Sequence, residues 1–162
     1  MRWHSRSPDD TTRLAHALAE CAPAEGGVAA LIGDLGAGKT VLAKGVAEAL
    51  GIPPERVASP TFVIAHEYAA GRFRLVHADL YRVESAPALE AAGWLDWLGH
   101  GVLLLVEWGD RFSSELPPDH LEVRLDRDAS DSELRIVVSR ATGPRSAAWL
   151  ERWCAATAPL TE

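Results

Sequence analysis

Val28-Ala29-Ala30-Leu31-Ile32 runs without a polar residue into Gly33-Asp34-Leu35-Gly36-Ala37-Gly38-Lys39-Thr40, and the junction of these two stretches decides the fold. An unbroken apolar run of this length reads as a short strand buried on both faces, as in a parallel sheet. The stretch after it fits GxxxxGK[ST] in full. Each fixed position has a physical reason. The glycines let the backbone close around a phosphate with its N–H groups turned inward, and the helix that follows adds the positive end of its dipole. Lys39 is the slim cation that reaches the β- and γ-phosphates, and the Thr40 hydroxyl is a natural Mg²⁺ ligand.

The wider composition sharpens this reading. Of 16 basic residues only Lys39 and Lys44 are lysine, so a chain strongly biased to arginine still keeps lysine where a phosphate-reaching ammonium is needed. A dinucleotide-binding GxGxxG fails locally, because Val41 stands at the third glycine position. Guanine-specific loop proteins carry Asn-Lys-x-Asp, whereas Lys39 follows Gly38 and Lys44 follows Ala43. ATP is the expected nucleotide.

Outward from the loop, the chain alternates strands and helices. Ser7-Pro8-Asp9-Asp10 opens a helix to about Cys21, with a hydroxyl cap, an early proline and two acids at the positive dipole end. A second helix is expected from about Lys39 to Leu50, stopped by Gly51 and Pro53-Pro54. Strands Phe62–Tyr68 and Phe73–Ala78 follow, joined by Ala69-Ala70-Gly71-Arg72. A helix over Pro87–Ala92 breaks near Gly93, with a further turn at Trp94–Leu98. Val102–Val106 is the second fully apolar strand. Leu121/Val123/Leu125 and Leu134/Ile136/Val138 alternate as half-buried strands, with Arg127–Ser132 as their turn. A helix over Ser146–Ala156 carries Trp149 and Trp153 one turn apart, a spacing that predicts core packing. The pattern predicts an α/β fold with a mainly parallel sheet of the P-loop NTPase kind, flanked by helices, with an antiparallel hairpin extension.

The 162 residues fit a single domain, 1–162, large enough to bury a core without disulfides. A net charge of -7 argues against a broad nucleic-acid-binding face. Cys21 and Cys154 have neither a CxxC nor a zinc spacing and read as reduced thiols. The first residues lack an apolar leader, and no stretch reaches the length of a membrane span. A cytoplasmic protein is expected.

A triphosphate-binding loop needs a carboxylate at the end of a nearby strand to hold the Mg²⁺ shell. Leu103-Leu104-Leu105-Val106-Glu107 supplies it, with Trp108 after it, and Glu107 is long enough to reach the metal or orient its water. Asp79, at the end of the preceding strand, is the second acid expected near the metal or the attacking water. Ser59-Pro60-Thr61 follows the loop's helix, where Thr61 is placed to sense a γ-phosphate. His66 and His77 read as cross-strand neighbours without ligand spacing, hence as core or surface histidines.

Taken together, Gly33–Thr40, Ser59-Pro60-Thr61-Phe62, His66-Glu67-Tyr68, His77-Ala78-Asp79-Leu80-Tyr81-Arg82 and Glu107-Trp108 closely resemble the bacterial TsaE family, small ATPases of tRNA threonylcarbamoyladenosine biosynthesis. The match extends from about Ser7 to Arg135. The resemblance implies an ATPase that does not transfer the threonylcarbamoyl group itself. It docks on a complex of TsaB and TsaD, which hold the tRNA, and its hydrolysis resets that complex. Carried over to this chain, Lys39 and Thr40 serve phosphate and Mg²⁺, Glu107 the metal, and Thr61, Asp79 and Trp108 are active-site or switch residues. The resemblance also places the adenine pocket between Asp10–Thr12, including Thr11, and the late strands near Arg135. Two positions depart from the family: Val41 stands where a second threonine is usual, removing a hydroxyl contact to the α-phosphate, and His66 stands where asparagine is common. Two other functions use the same loop, a small-molecule kinase and a regulatory switch with negligible hydrolysis.

Overall fold

The computed structural model describes residues 1–131 and 133–160. In chain order its elements are β1 (Arg2–Ser5), α1 (Pro8–Glu20), β2 (Gly26–Ile32), α2 (Lys39–Ala49), β3 (Ala65–Ala70), β4 (Phe73–Asp79), α3 (Ala86–Ala91), α4 (Trp94–Trp97), β5 (Val102–Glu107), β6 (Leu121–Arg127), β7 (Arg135–Ala141) and α5 (Pro144–Ala156). The strands form one sheet in the order β1-β7-β6-β2-β5-β4-β3. Its middle, β6-β2-β5-β4, is parallel. The β3/β4 hairpin extends one side antiparallel, and β7 with β1 extends the other. The expected α/β class and antiparallel extension are both present.

Alternation along the central strands divides the core into two layers. Ala29, Leu31, Leu103 and Leu105 meet Leu14, Leu18 and Leu42 of α1 and α2 and the tryptophans of α5. Ala30, Leu104 and Val106 meet Leu89, Trp94 and Trp97 from α3 and α4. The first five residues of β5, Val102–Val106, are apolar and buried on both faces, which is why the sequence there is an apolar run rather than an alternation. Full burial of each such side chain stabilises the fold by roughly 1.5–3 kcal/mol.

The two long helices beside the glycine loop lie unusually close. A Cβ on Gly45 of α2 would stand 2.7 Å from the Ala15 Cβ of α1, so hydrogen is the only side chain that fits there. The helix α5 is fastened to α1 by its two tryptophans. Trp149 Nε1 donates to Leu18 O at 2.9 Å and Trp153 Nε1 to Leu14 O at 2.8 Å. The spacing that predicted core packing therefore also pairs two indole donors with two carbonyls one turn apart on the neighbouring helix.

Several boundaries differ from expectation for identifiable reasons. The strand expected over Phe62–Tyr68 occupies Ala65–Ala70, and Phe62 and Val63 are exposed. Ile64 takes a left-handed φ of 68°, and the Val63 N–H closes a turn on Pro60 O at 3.0 Å, so pairing with β4 begins only where Ile64 O accepts the Asp79 N–H at 2.8 Å. In β7 the buried positions are Val137 and Ser139 rather than Leu134/Ile136/Val138. Consecutive Val137-Val138 leaves the phase open, and the pairing of Val137 with buried Trp3 of β1 decides it. That first strand was not expected at all. The helix α5 starts at Pro144 instead of Ser146, and β6 includes Arg127, the first residue of the expected turn. Ser132, at the end of that turn, lies outside the described residues.

Candidate nucleotide site

The glycine loop leaves the end of β2 and enters α2 at Lys39. Gly33 has φ 144°, and a Cβ there would lie 2.2 Å from the Leu125 carbonyl of β6, so the loop's first turn admits only glycine. Gly38 caps α2 in a left-handed conformation, with no side-chain cap and no acid in the first turn. The positive end of α2 therefore faces the cleft without a counter-charge of its own.

Lys39 is 4% exposed, and its Nζ donates to the loop carbonyls of Gly33 at 2.6 Å and Asp34 at 2.9 Å. It also lies 4.0 Å from the centre of the Trp108 ring. Burial lowers its pKa from the ordinary lysine value, against the raising pull of Glu107, Asp79, Asp34 and Asp110. Trp108 itself holds φ 61°, a left-handed backbone costing about 1–3 kcal/mol for such a residue. Its N–H donates to Leu31 O at 3.0 Å, and its ring stands 5.1 Å from that of Tyr81.

The two predicted acids end neighbouring parallel strands and face each other in register, Asp79 beside Glu107. The Thr40 hydroxyl, in the first turn of α2, donates to Glu107 Oε1 at 2.9 Å, with Oε2 at 3.2 Å. Asp79 is held from both sides: its Oδ1 accepts the Tyr81 N–H at 2.9 Å, and its Oδ2 accepts the Thr61 hydroxyl at 2.8 Å. Ser59 Oγ in turn lies 2.8 Å from Thr61 Oγ1. Lys39, Thr40, Thr61, Asp79, Glu107 and Trp108 thus line one cleft of about 400 Å³, together with Leu35, Gly36, Gly38 and Val41. Ala37 is buried beneath the loop, while Asp34 is exposed at its rim.

A smaller hollow of about 110 Å³ lies on the other flank of the loop, between Thr11, Gly36, Val41 and Arg135. Thr11 is 3% exposed and its hydroxyl lies 2.7 Å from Ser5 Oγ of β1. The two residues singled out as adenine neighbours therefore stand beside the loop, outside the main cleft.

Three contributors escaped the sequence reading. Arg127 at the end of β6 donates to Gly36 O from Nε at 3.2 Å and Nη2 at 3.0 Å, clamping the loop's tip. No local pattern marks it, because its role depends on β6 lying beside β2. Arg111 donates to Leu80 O at 3.0 Å and to Tyr81 O, tying the turn after Trp108 to the turn after Asp79. His77 and His66 are cross-strand partners as expected, but His77 Nε2 also lies 2.8 Å from Glu107 Oε1. Among the described residues no group of three or more His, Cys, Asp or Glu side chains is arranged to hold a metal. A hydroxyl and a carboxylate that already touch, beside an ammonium and an uncapped helix end, do fit Mg²⁺ carried in on a phosphate chain, since this ion keeps several waters and takes few protein ligands.

The family model for threonylcarbamoyl adenosine biosynthesis protein TsaE matches residues 5–136. A tRNA threonylcarbamoyladenosine biosynthesis protein TsaE of Bacillus subtilis is 41% identical over 146 residues, covering 90% of this chain and 88% of that one. One of Mycobacterium tuberculosis (strain ATCC 25618 / H37Rv) is 39% identical over 138 residues, 79% of each chain. The crystal structure of Bacillus subtilis YdiB superposes with a TM-score of 0.78 at 34% identity, covering 96% of this chain and 94% of that one. The family match, the identity to these relatives and the shared fold show that the chain belongs to the TsaE family.

Proposed function

We propose that this chain is a Mg²⁺-dependent ATPase subunit serving threonylcarbamoyladenosine modification of tRNA, acting in the cytoplasm on a TsaB–TsaD complex rather than transferring the group itself. The observation that carries the reading is the contact of Thr40 with Glu107 at 2.9 Å, in the same cleft as Lys39 and at the uncapped start of α2. Together these are a phosphate cradle, a cation and a metal-directed carboxylate.

Each residue then has a distinct task. The loop Gly33–Thr40, with Val41 behind it, binds the phosphate chain through the helix end, and Lys39 exchanges the Gly33 and Asp34 carbonyls for phosphate oxygens. Mg²⁺, when bound, neutralises charge on the phosphate oxygens and would be held by Thr40 and Glu107. Asp79, fixed by Tyr81 and Thr61, orients water in the cleft. Thr61 links that carboxylate to the exposed turn at Phe62 and Val63, so the occupancy of the cleft reaches a surface available to a partner. Thr11 and Arg135 flank the nucleotide base. A net charge of -7 suits a subunit that reaches tRNA only through its partners.

Mg-ATP turnover, measured for the protein alone and with the matching TsaB and TsaD, tests this reading. Slow turnover that rises with the partners and disappears in Lys39→Ala and Glu107→Ala supports it. Turnover that ignores the partners and needs an added phosphate acceptor replaces it with a kinase; tight nucleotide binding without turnover in any mixture replaces it with a switch.

A further inference from the structure

His77 is 1% exposed, on β4 between the apolar residues Val76 and Ala78. Its Nδ1 is buried and has no hydrogen-bond partner among the described residues. An unsatisfied buried nitrogen costs stability, and a leucine would fill the same layer without that cost. The other ring nitrogen supplies the reason for a histidine: Nε2 lies 2.8 Å from Glu107 Oε1.

The strand geometry makes this contact a deliberate one. Alternation puts Leu75, His77 and Asp79 on one face of β4, and the register pairs His77 with Leu105 and Asp79 with Glu107. His77 therefore reaches diagonally across the ladder to the residue that ends β5. An ionised carboxylate only accepts, so the short contact requires the proton on Nε2. A proton on Nδ1 would be a buried donor without an acceptor, so the ring is assigned the single tautomer with Nε2–H. Glu107 Oε1 is then gripped from two sides, by the Thr40 hydroxyl at 2.9 Å and by His77, while among the described residues Oε2 has only the longer Thr40 contact at 3.2 Å. The lysine of the loop is a competitor for this acid, since Lys39 is close enough for the two charges to interact.

We infer that His77 is a positioning residue, anchoring Glu107 through Nε2–H so that the carboxylate keeps one oxygen for the Thr40 side of the cleft and is not drawn onto Lys39. The inference rests on the reading of the cleft as a Mg-nucleotide site. Removing such an outer partner of a metal-directed ligand costs about 10–100-fold in metal affinity or activity. The effect falls on the Mg²⁺ requirement and on kcat, and leaves nucleotide affinity measured without metal within about twofold, because the phosphate cradle is untouched.

Two independent measurements decide it. Nitrogen NMR of the nucleotide-free protein, with the His77 signals identified by their loss in a His77→Gln sample, reads the tautomer directly. A protonated Nε2 and bare Nδ1 are expected, with that preference lost in Glu107→Ala; a protonated Nδ1 overturns the anchoring whether or not the protein uses ATP. Titration of Mg²⁺ into turnover and fluorescent-nucleotide binding assays compares wild type, His77→Gln and His77→Leu, each checked for folding by thermal denaturation. Glutamine, which restores an amide donor, is expected within about threefold of wild type, and leucine at least about tenfold down in kcat or Mg²⁺ affinity. Leucine equal to wild type, or glutamine as poor as leucine while both remain folded, overturns the inference. A wild-type protein with no Mg-nucleotide affinity sinks the functional reading itself, and the tautomer result still decides what His77 does to Glu107.

Discussion

The helices α1 and α2 pack against each other through Ala15 and Gly45, yet they begin in opposite ways. Ser7 caps α1 by accepting the Asp10 N–H at 3.1 Å, Pro8 holds its first turn, and Asp9 and Asp10 neutralise the dipole. Gly38 offers α2 no side chain, and the first residue after it is Lys39, a cation at the positive end. A cation there costs about 0.3–1 kcal/mol, where an acid would contribute a similar gain. The start of α5 resembles that of α1: Asp119 accepts the Arg145 and Ser146 N–H groups, each at 2.9 Å. Two of the three long helices meet an anion of this chain, and the third has none in its first turn. Under the proposed function the difference separates a helix start that stabilises the fold from one that binds a ligand.

The contrast breaks most visibly at Lys39. Replacing it with alanine is expected to weaken Mg-ATP binding roughly 100-fold, about 2.7 kcal/mol, in equilibrium titration. The same variant should lose the ligand-induced gain in stability, which at a hundredfold excess over Kd is about 2.7 kcal/mol for the wild type. Nucleotide binding unaltered by this change would show that the uncapped end is not the phosphate site. Thr40→Val tests the metal side of that helix start: the Mg²⁺ concentration needed for turnover should rise about tenfold, with metal-free nucleotide binding unchanged.

At the capped end the main effect should appear in stability. Ser7→Ala is expected to cost about 1 kcal/mol in denaturant unfolding. The smallest effect belongs to Asp119. Burial opposes ionisation there, but hydrogen bonds from the Ser146 side chain and from the Ser146 and Arg145 amides, with the Arg145 charge, hold its pKa below the ordinary aspartate value. A carboxyl lowered on folding contributes stability above its unfolded pKa of about 3.9, lost as the pH falls through the folded value. Acid unfolding followed below about pH 4 should therefore be shallower in Asp119→Asn than in wild type. An unchanged acid limb would mean that the cap carries no net electrostatic weight.

The same contrast marks what could be read from the sequence. Ser7-Pro8-Asp9-Asp10 and Gly33–Thr40 are local signals: hydroxyl, proline, acid and glycine act on their own backbone, and both helix starts lie where the sequence places them. Glu107 and Asp79 were legible because each terminates an apolar run, and the parallel register brings them together. The residues that escaped notice act across the sheet. Arg127 reaches the loop only because β6 pairs with β2, and the hydrogen bond of His77 depends on the β4/β5 ladder. At Phe62–Ile64 the β preference of the residues is overruled by the left-handed Ile64 and by the turn that Val63 N–H closes on Pro60 O.

The buried Trp3 of β1 has a consequence for how the chain is made. Its strand pairs with β7, opposite Val137, and its indole donates to Thr157 Oγ1 at 2.8 Å beyond the end of α5. On a growing polypeptide β1 emerges long before either partner exists, so this edge cannot pair until β7 has been made, and Trp3 cannot reach Thr157 until synthesis has passed α5. The parallel centre can assemble earlier, but Trp3 lacks its ring contact with Trp153 and its Thr157 partner until α5 docks. Such late closure of distant contacts slows folding. A nascent chain stalled before β7 should therefore be held open at this edge, offering an unpaired strand to chaperones that pairing with β7 later covers.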